Sequence, residues 1–166
     1  QSFHPNAAGQ RRGYAAALND VLNPTPHPDG RIPQGVSGPQ VGDNIYNTVG
    51  AGQTRTGSAR PGRSVSFYAS IQNDGPTPDV LSLRGGTSAR GFVIRYRDPA
   101  GANITNRITA GTYHTPRLAP GATHLVRVTI TVSAAPAHPT ALARTLTATS
   151  TTDPTRRDTV RFITNR

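Results

Sequence analysis

The side chains best suited to proton transfer near neutral pH are five histidines, which lie far apart in the chain. No two of them lie four residues apart on a predicted helix, and only His27 has a nearby aspartate, Asp29, within a proline-rich turn. General acid–base catalysis needs a base held close to its reacting partner and oriented by a third group. The pattern therefore predicts surface-loop histidines and no enzyme activity. The five are His4, His27, His114, His124 and His138.

The eight aspartates are the only side-chain carboxylates, because the chain has no glutamate. Asp74, Asp98 and Asp153 stand in turn sequences, where an aspartate bonds to the backbone two residues further on. A calcium loop needs several oxygen ligands at alternating spacing, and thiolate metal sites need cysteine, which is absent. The glycines at 50–52 and 85–86 lack the lysine and helix that follow in a phosphate-binding loop. We predict no catalytic residue, no metal site and no cofactor.

The chain carries a formal charge of +10, all of its basic side chains being arginine. The only adjacent pairs are Arg11-Arg12 and Arg156-Arg157. Nucleic-acid-binding proteins more often show a clustered basic patch with interleaved aromatic residues, and only residues 92–97 approach that pattern. Nucleic acid is therefore an unlikely partner, and an anionic cell-wall polymer, acidic glycan or virion surface is favoured.

The composition favours strands and an exported protein. Without lysine, glutamate and methionine the chain lacks most good helix formers, whereas Thr, Val, Ser, Gly and Pro are typical of strands joined by tight turns. The sequence contains no run of 18 apolar residues, so no membrane span is predicted. A chain that begins at Gln1 and has no methionine indicates a removed secretory leader, so we expect an extracellular or cell-surface location.

Residues 1–37 are interpreted as an N-terminal arm, and residues 38–166 as the folded domain. A short helix is predicted over residues 10–23, with Tyr14, Leu18, Val21 and Leu22 on one stripe. The prolines at 24, 26 and 28 end it. The arm has too little apolar surface to fold alone.

The domain is predicted to be an all-β, immunoglobulin-like antiparallel β-sandwich of seven to nine strands. The alternation is clearest over 63–73, where Val65, Phe67 and Ile71 share a face, and over 125–132, where Val126, Val128 and Ile130 do. Helices are not expected inside the domain. The other predicted strands are 41–46, 53–58, 79–84, 91–97, a weak one to 108, 141–151 and 159–163.

Three segments of the C-terminal half resemble those of bacterial cell-surface immunoglobulin-like domains of the cell-adhesion-related and alpha-galactosidase-associated type. These segments are 118–132 with its Pro-Gly turn, 146–150, and 158–162. Residues 65–75, which end in Asn-Asp-Gly, are similar to a strand and the turn after it in the same group of domains. The resemblance covers about residues 40–164. It implies a β-sandwich in an exported setting and carries over no catalytic residue.

Asn103-Ile104-Thr105 matches the acceptor sequence for N-linked glycosylation, so Asn103 is a candidate modification site.

Edge strands of a sandwich can accept an extended segment from another copy. Residues 31–41 could be that donated segment, or the stripe at 14–22 could dock as an apolar plug. The hypothesis is a noncatalytic, self-assembling bacterial protein: a subunit of a secreted surface filament, sheath or pilus-like homopolymer, with a role in adhesion. The alternatives are a noncatalytic glycan- or cell-wall-binding module and a virion capsid or decoration protein. The assembly contacts would be Tyr14, Leu18, Val21, Leu22 and Ile32.

Overall fold

Two five-stranded sheets face each other in the computed structural model, which describes residues 22, 24–134 and 139–166. The first sheet has the order β2-β1-β4-β8-β6 and the second the order β3-β10-β9-β5-β7. All neighbours pair antiparallel except β3 and β10, which are parallel. The strands are β1 (Pro28–Pro33), β2 (Gln40–Val41), β3 (Thr54–Ser58), β4 (Ser64–Asn73), β5 (Leu81–Gly85), β6 (Phe92–Arg97), β7 (Tyr113–His114), β8 (Thr123–Val132), β9 (Ala141–Ser150) and β10 (Arg157–Asn165).

The predicted all-β sandwich is confirmed, with ten strands in the described residues instead of seven to nine. The core forms where the predicted alternation puts it. Phe67 pairs with Val128 across β4 and β8, and its ring lies 5.3 Å from the Phe162 ring of the opposite sheet. Each such fully buried side chain stabilises the fold by about 1.5–3 kcal/mol.

A short helix, α1 (Thr105–Ala110), replaces the weak strand predicted to end at residue 108, so the expectation of no helix inside the domain was wrong. Ile104 and Ile108 are four residues apart, and both are buried against the core. Gly111 ends the helix in the left-handed conformation with φ 74°. The part of the chain that the structure describes contains no helix long and apolar enough to cross a membrane.

The predicted boundary at residue 37 is corrected, because residues 28–33 form β1 inside the protein's own first sheet. Its prolines stand at the two ends of the strand, where no central ladder bond is lost. Ile32 was predicted to contact a neighbouring copy, but it is 0% exposed in the core. Leu22 is 67% exposed. Tyr14, Leu18 and Val21 lie outside the described residues.

Asp158 joins the two sheets through a buried carboxylate. It lies on β10, is 1% exposed, and accepts hydrogen bonds from the backbone N–H of Gly30 at 2.7 Å and of Asn47 at 2.8 Å. Gln53 Nε2 donates to both carboxylate oxygens at 2.9 and 3.0 Å. Burial raises the pKa of Asp158 in spite of these donors. The carboxylate thus fastens β1 of the first sheet to β10 of the second.

Arg55 makes a second link between the sheets. Its guanidinium extends from β3 and donates to the carbonyl of Ile32 at 3.1 Å and to that of Pro39 at 2.9 Å. Both acceptors belong to the β1–β2 edge, so the segment before residue 41 is held on its own domain by side chains of the second sheet.

Asp29 is a second buried carboxylate, 1% exposed, at the same edge. Arg31 Nε lies 3.5 Å from its Oδ2, while Arg31 Nη1 bonds Asp43 Oδ1 at 2.8 Å. Burial, the largest influence, raises the pKa of Asp29 from 3.8 to about 7, although the Arg31 charge lowers it. Ionisation of Asp29 is therefore less favourable in the folded protein than in the unfolded chain.

Replacing Asp158 with alanine should lower the free energy of unfolding by about 2–5 kcal/mol, because the donors of Gly30, Asn47 and Gln53 lose their buried acceptor. Urea unfolding followed by circular dichroism measures the change. Asp153→Ala, which removes a partly exposed turn carboxylate, is the control and should lower the free energy of unfolding less. Equal unfolding midpoints for the two variants would contradict a structural role for Asp158.

Asp29→Asn should make stability less dependent on pH. The folded protein holds the Asp29 proton more tightly than the unfolded chain, so the free energy of unfolding of the parent falls as pH rises from about 4 to about 7. His124, whose pKa burial lowers, acts in the opposite direction and is present in both proteins. The stability of the variant relative to the parent should therefore rise between about pH 4 and about pH 7. A constant difference in urea unfolding over that range would show that Asp29 titrates normally.

Candidate functional site

The outer face of the second sheet is rich in hydroxyl groups and arginines, and we call it the arginine–threonine face. Successive side chains of a strand point to opposite sides, so the core positions of β3, β10, β9, β5 and β7 fix which residues lie outside. The outward positions are Thr54, Thr56, Ser58, Ser82, Arg84, His114, Ala141, Ala143, Thr145, Thr147, Thr149, Arg157, Thr159, Arg161, Ile163 and Asn165.

The strand register arranges these side chains in rows across the sheet. Thr54, Arg161 and Thr145 form one row, and Arg157 pairs with Thr149 in another. Between these rows the hydroxyls of Thr159 and Thr147 lie 2.8 Å apart and bond to each other. Thr54 Oγ1 donates to the carbonyl of Gly50 at 2.8 Å. These bonds orient three hydroxyl groups of the face.

Three exposed arginines of this face have no ion pair among the residues that the structure describes: Arg84, Arg157 and Arg161. Arg157 and Arg161 are four residues apart on β10, which corresponds to about 13 Å. None of the outward positions is an aspartate. The face thus combines uncompensated positive charge with hydroxyl donors and acceptors.

A shallow depression of about 450 Å³ lies beside Arg161. Ala143 and Thr145 line it together with Arg161, while Val49 and Arg144 stand at its sides. Arg144 is held by a 2.7 Å bond from its Nε to the carbonyl of Thr87. Val49 is 64% exposed, so an apolar side chain is accessible beside the Arg161 guanidinium.

The outer face of the first sheet is basic as well, but it carries carboxylates. Arg95 and Arg127 point outward there, and a cavity of about 310 Å³ is lined by Tyr68, Arg127 and the 98–101 loop, which contains Asp98. The Arg31–Asp43 ion pair lies at the β1–β2 edge of this sheet. Acidic groups therefore reduce the positive potential at two of its borders.

The histidines do not come together. His27 lies beside Tyr46, with ring centroids 5.7 Å apart, and His114 stands exposed at the β7 edge of the arginine–threonine face. The expectation of surface-loop histidines is wrong for His124, which lies buried on β8 with its Nε2 2.9 Å from Tyr113 Oη. His4 and His138 lie outside the described residues.

Two of the aspartates predicted to stabilise turns do so. Asp98 Oδ1 accepts from the N–H of Ala102 at 2.8 Å, and Asp153 Oδ1 accepts from that of Thr155 at 3.0 Å. The hydrogen bond of the Asp74 side chain is instead to the Tyr46 hydroxyl.

Asn103 is exposed just before α1, as a glycosylation acceptor needs to be. Its Oδ1 accepts from Thr105 Oγ1 at 2.7 Å and from the Thr105 N–H at 3.1 Å. The side chain is thus held in a local turn, and its modification stays a prediction.

The arginine–threonine face was missed at the level of sequence because its residues come from five separated strands. Arg84, Arg157 and Arg161 look scattered along the chain. The signal in the sequence was that these arginines and the threonines of 145–149 all stand at outward positions of their strands. These positions can be assembled into one face only after the strand order is known.

No protein-family model matches the sequence, and no curated protein does. Among solved structures the chain is similar to a family 123 glycoside hydrolase from Clostridium perfringens that acts on glycolipid glycans, at 10% identity and a TM-score of 0.43, over 68% of this chain and 22% of that one. It is also similar to the VesB protease of Vibrio cholerae, at 13% identity and a TM-score of 0.42, over 92% and 35% of the two chains. A PapD-like domain of human CEP192 aligns at 15% identity and a TM-score of 0.37, over 68% and 78%. The chain spans about a fifth to a third of the first two proteins.

Proposed function

We propose that this protein is a noncatalytic binding module for an anionic polysaccharide, either an acidic glycan or a cell-wall polymer, in an exported setting. The observation that carries the proposal is the arginine–threonine face, on which Arg84, Arg157 and Arg161 stand exposed among hydroxyl side chains, with no ion pair to any residue that the structure describes.

The chemistry of the face suits a charged sugar chain. A guanidinium group binds carboxylate, sulfate or phosphate through two parallel hydrogen bonds. Threonine hydroxyls both donate and accept, so Thr56, Thr145 and Thr149 can bond to sugar hydroxyls between the charged positions.

The same face is poorly suited to nucleic acid. Single-stranded nucleic acids are bound by stacking bases on aromatic side chains above a basic groove. The outward positions of β3, β5, β7, β9 and β10 include no Phe, Tyr or Trp, and the aromatic residues Tyr113 and Phe162 of these strands are buried. Sugars that carry charged groups need no such platform.

The filament hypothesis becomes the second proposal, because the segment 31–41 that was to be donated is used in the protein's own first sheet. One feature still favours assembly, the outer edge of β3. In its parallel ladder, Gln53 and Ala59 bond to β10, so the alternate residues Thr54, Thr56 and Ser58 direct their N–H and C=O groups away from it.

The outer edge of β6, by contrast, is covered. The N–H groups of Phe92, Ile94 and Tyr96 donate to the Ala89 carbonyl at 2.9 Å, the Ser88 hydroxyl at 3.0 Å and the Thr105 hydroxyl at 2.9 Å. Strand addition by another copy is therefore expected at β3 and not at β6.

The triple substitution of Arg84, Arg157 and Arg161 by glutamine should weaken binding to polygalacturonate or heparin by at least about tenfold, since each lost charged hydrogen bond contributes on the order of 1 kcal/mol. Isothermal titration calorimetry on the full chain at fixed salt measures the change. The matched control replaces Arg63, Arg95 and Arg127 on the side of the first sheet and removes the same charge.

Equal losses in the two triple variants would show that binding follows net charge and would overturn the assignment to this face. A parent protein that binds single-stranded DNA more tightly than either polysaccharide would instead favour a nucleic-acid partner.

Thr56→Pro should abolish any filament, because proline removes an outward N–H from the β3 edge while the edge position tolerates its ring. Thr56→Ala keeps the N–H and is the control. Electron microscopy of the two variants compares assembly, and circular dichroism confirms that both fold. Filaments formed equally by both variants would exclude the β3 edge as the contact.

A further inference from the structure

A small pocket opens where the arginine–threonine face meets the end of the sandwich, and we call it the end pocket. It is lined by Pro26, His27, Pro28, Tyr46 and the 155–157 segment, and its volume is about 130 Å³. That volume corresponds to about four molecules of liquid water, enough for one oxyanion group and the atoms that carry it.

Proline and aromatic side chains form one part of the lining of the end pocket. Pro26 and Pro28 are buried, and the His27 and Tyr46 rings meet edge to face at 61°. The Tyr46 hydroxyl donates to the Asp74 carboxylate, and burial, followed by that bond, raises the pKa of Tyr46. Tyr46 is therefore a neutral, positioned wall of the pocket, and the Asp74 carboxylate lies beside that wall, bonded to its hydroxyl.

The charges in the end pocket favour an anion. Arg156 Nε lies 3.6 Å from Asp153 Oδ2, and Thr155 Oγ1 donates to Asp153 Oδ1 at 2.7 Å. Asp153 thus compensates Arg156 in part, whereas Arg157 has no ion pair within the described residues.

Arg157 belongs both to the end pocket and to the arginine–threonine face, so the two are continuous. We propose that the end pocket binds an oxyanion group, carried at the end of the sugar chain or as a substituent on it, while the chain itself lies along the face. This inference rests on the proposed function and names the subsite that recognises the acidic group. The guanidinium groups would hold the oxyanion, and the proline and aromatic walls would contact the sugar ring that bears it.

The test uses Arg156→Gln in the full chain, because Arg156 lines the end pocket and is not an outward residue of the face. Arg63→Gln is the matched control. Calorimetry with a galacturonate trisaccharide and a sulfated heparin trisaccharide distinguishes carboxylate from sulfate, and inorganic phosphate serves as the sugar-free probe. Arg156→Gln should weaken binding of the better trisaccharide by at least about fivefold, the effect of one charge-assisted hydrogen bond, and Arg63→Gln should leave it unchanged.

Equal affinities of the two variants for both trisaccharides would overturn the end pocket as a subsite, whatever the face does. Phosphate that binds as tightly as the trisaccharides would show a site for a free anion and would overturn the sugar assignment. The double variant Arg84→Gln, Arg161→Gln separates the two proposals: if it keeps full affinity for the long polymer while Arg156→Gln loses affinity for the trisaccharide, the proposed function of the face fails and the end pocket stands.

Discussion

The buried carboxylate of Asp158 is the interaction on which the rest of the arrangement depends. Apolar burial holds the two sheets together but does not by itself fix where one edge lies against the other. Asp158 does so by accepting from Gly30 of β1, from Asn47 of the loop before β3 and from Gln53. Its desolvation is offset only while all these donors are in place. Because Asp158 points inward, Arg157 points outward, and the arginine–threonine face and the end pocket share that side chain.

The exposed arginines remain uncompensated because the carboxylates are used elsewhere. Asp29, Asp79 and Asp158 are buried. Asp43 pairs with Arg31, and Asp74 accepts from a tyrosine. The last two described aspartates, Asp98 and Asp153, hold turns. The chain has few acidic side chains, and each one that the structure describes is buried or has a structural contact. The arginines on the outer faces of both sheets therefore outnumber the carboxylates near them. The positive charge of the arginine–threonine face is thus a consequence of where the fold places its aspartates.

The long strands β4 and β8 could be predicted because apolar side chains recur at every second position, among them Phe67 on β4 and Val128 on β8, and these side chains are buried. β1 could not, because Pro28, Gly30 and Pro33 are typical of a turn. Gly30 is required there for a non-local reason: a Cβ atom would lie 2.9 Å from Val160 Cγ1 on the other sheet. A partner 130 positions away in the chain leaves no local pattern.

The same limit applied to the candidate site. Its arginines share a face only through the register of β5, β9 and β10, which strand pairing and not local sequence determines.

The spacing of these arginines also bears on what such a face can bind. At physiological salt the Debye length is about 8 Å, shorter than the roughly 13 Å between Arg157 and Arg161, so exposed arginines at this spacing act nearly independently. A small anion therefore meets one guanidinium at a time and is held weakly. A polymer that carries an acidic group at each position gains from all of them through effective concentration, because its second and third contacts are intramolecular. The end pocket differs from the open face in this respect, since two adjacent arginines, Arg156 and Arg157, line it together with proline and aromatic side chains.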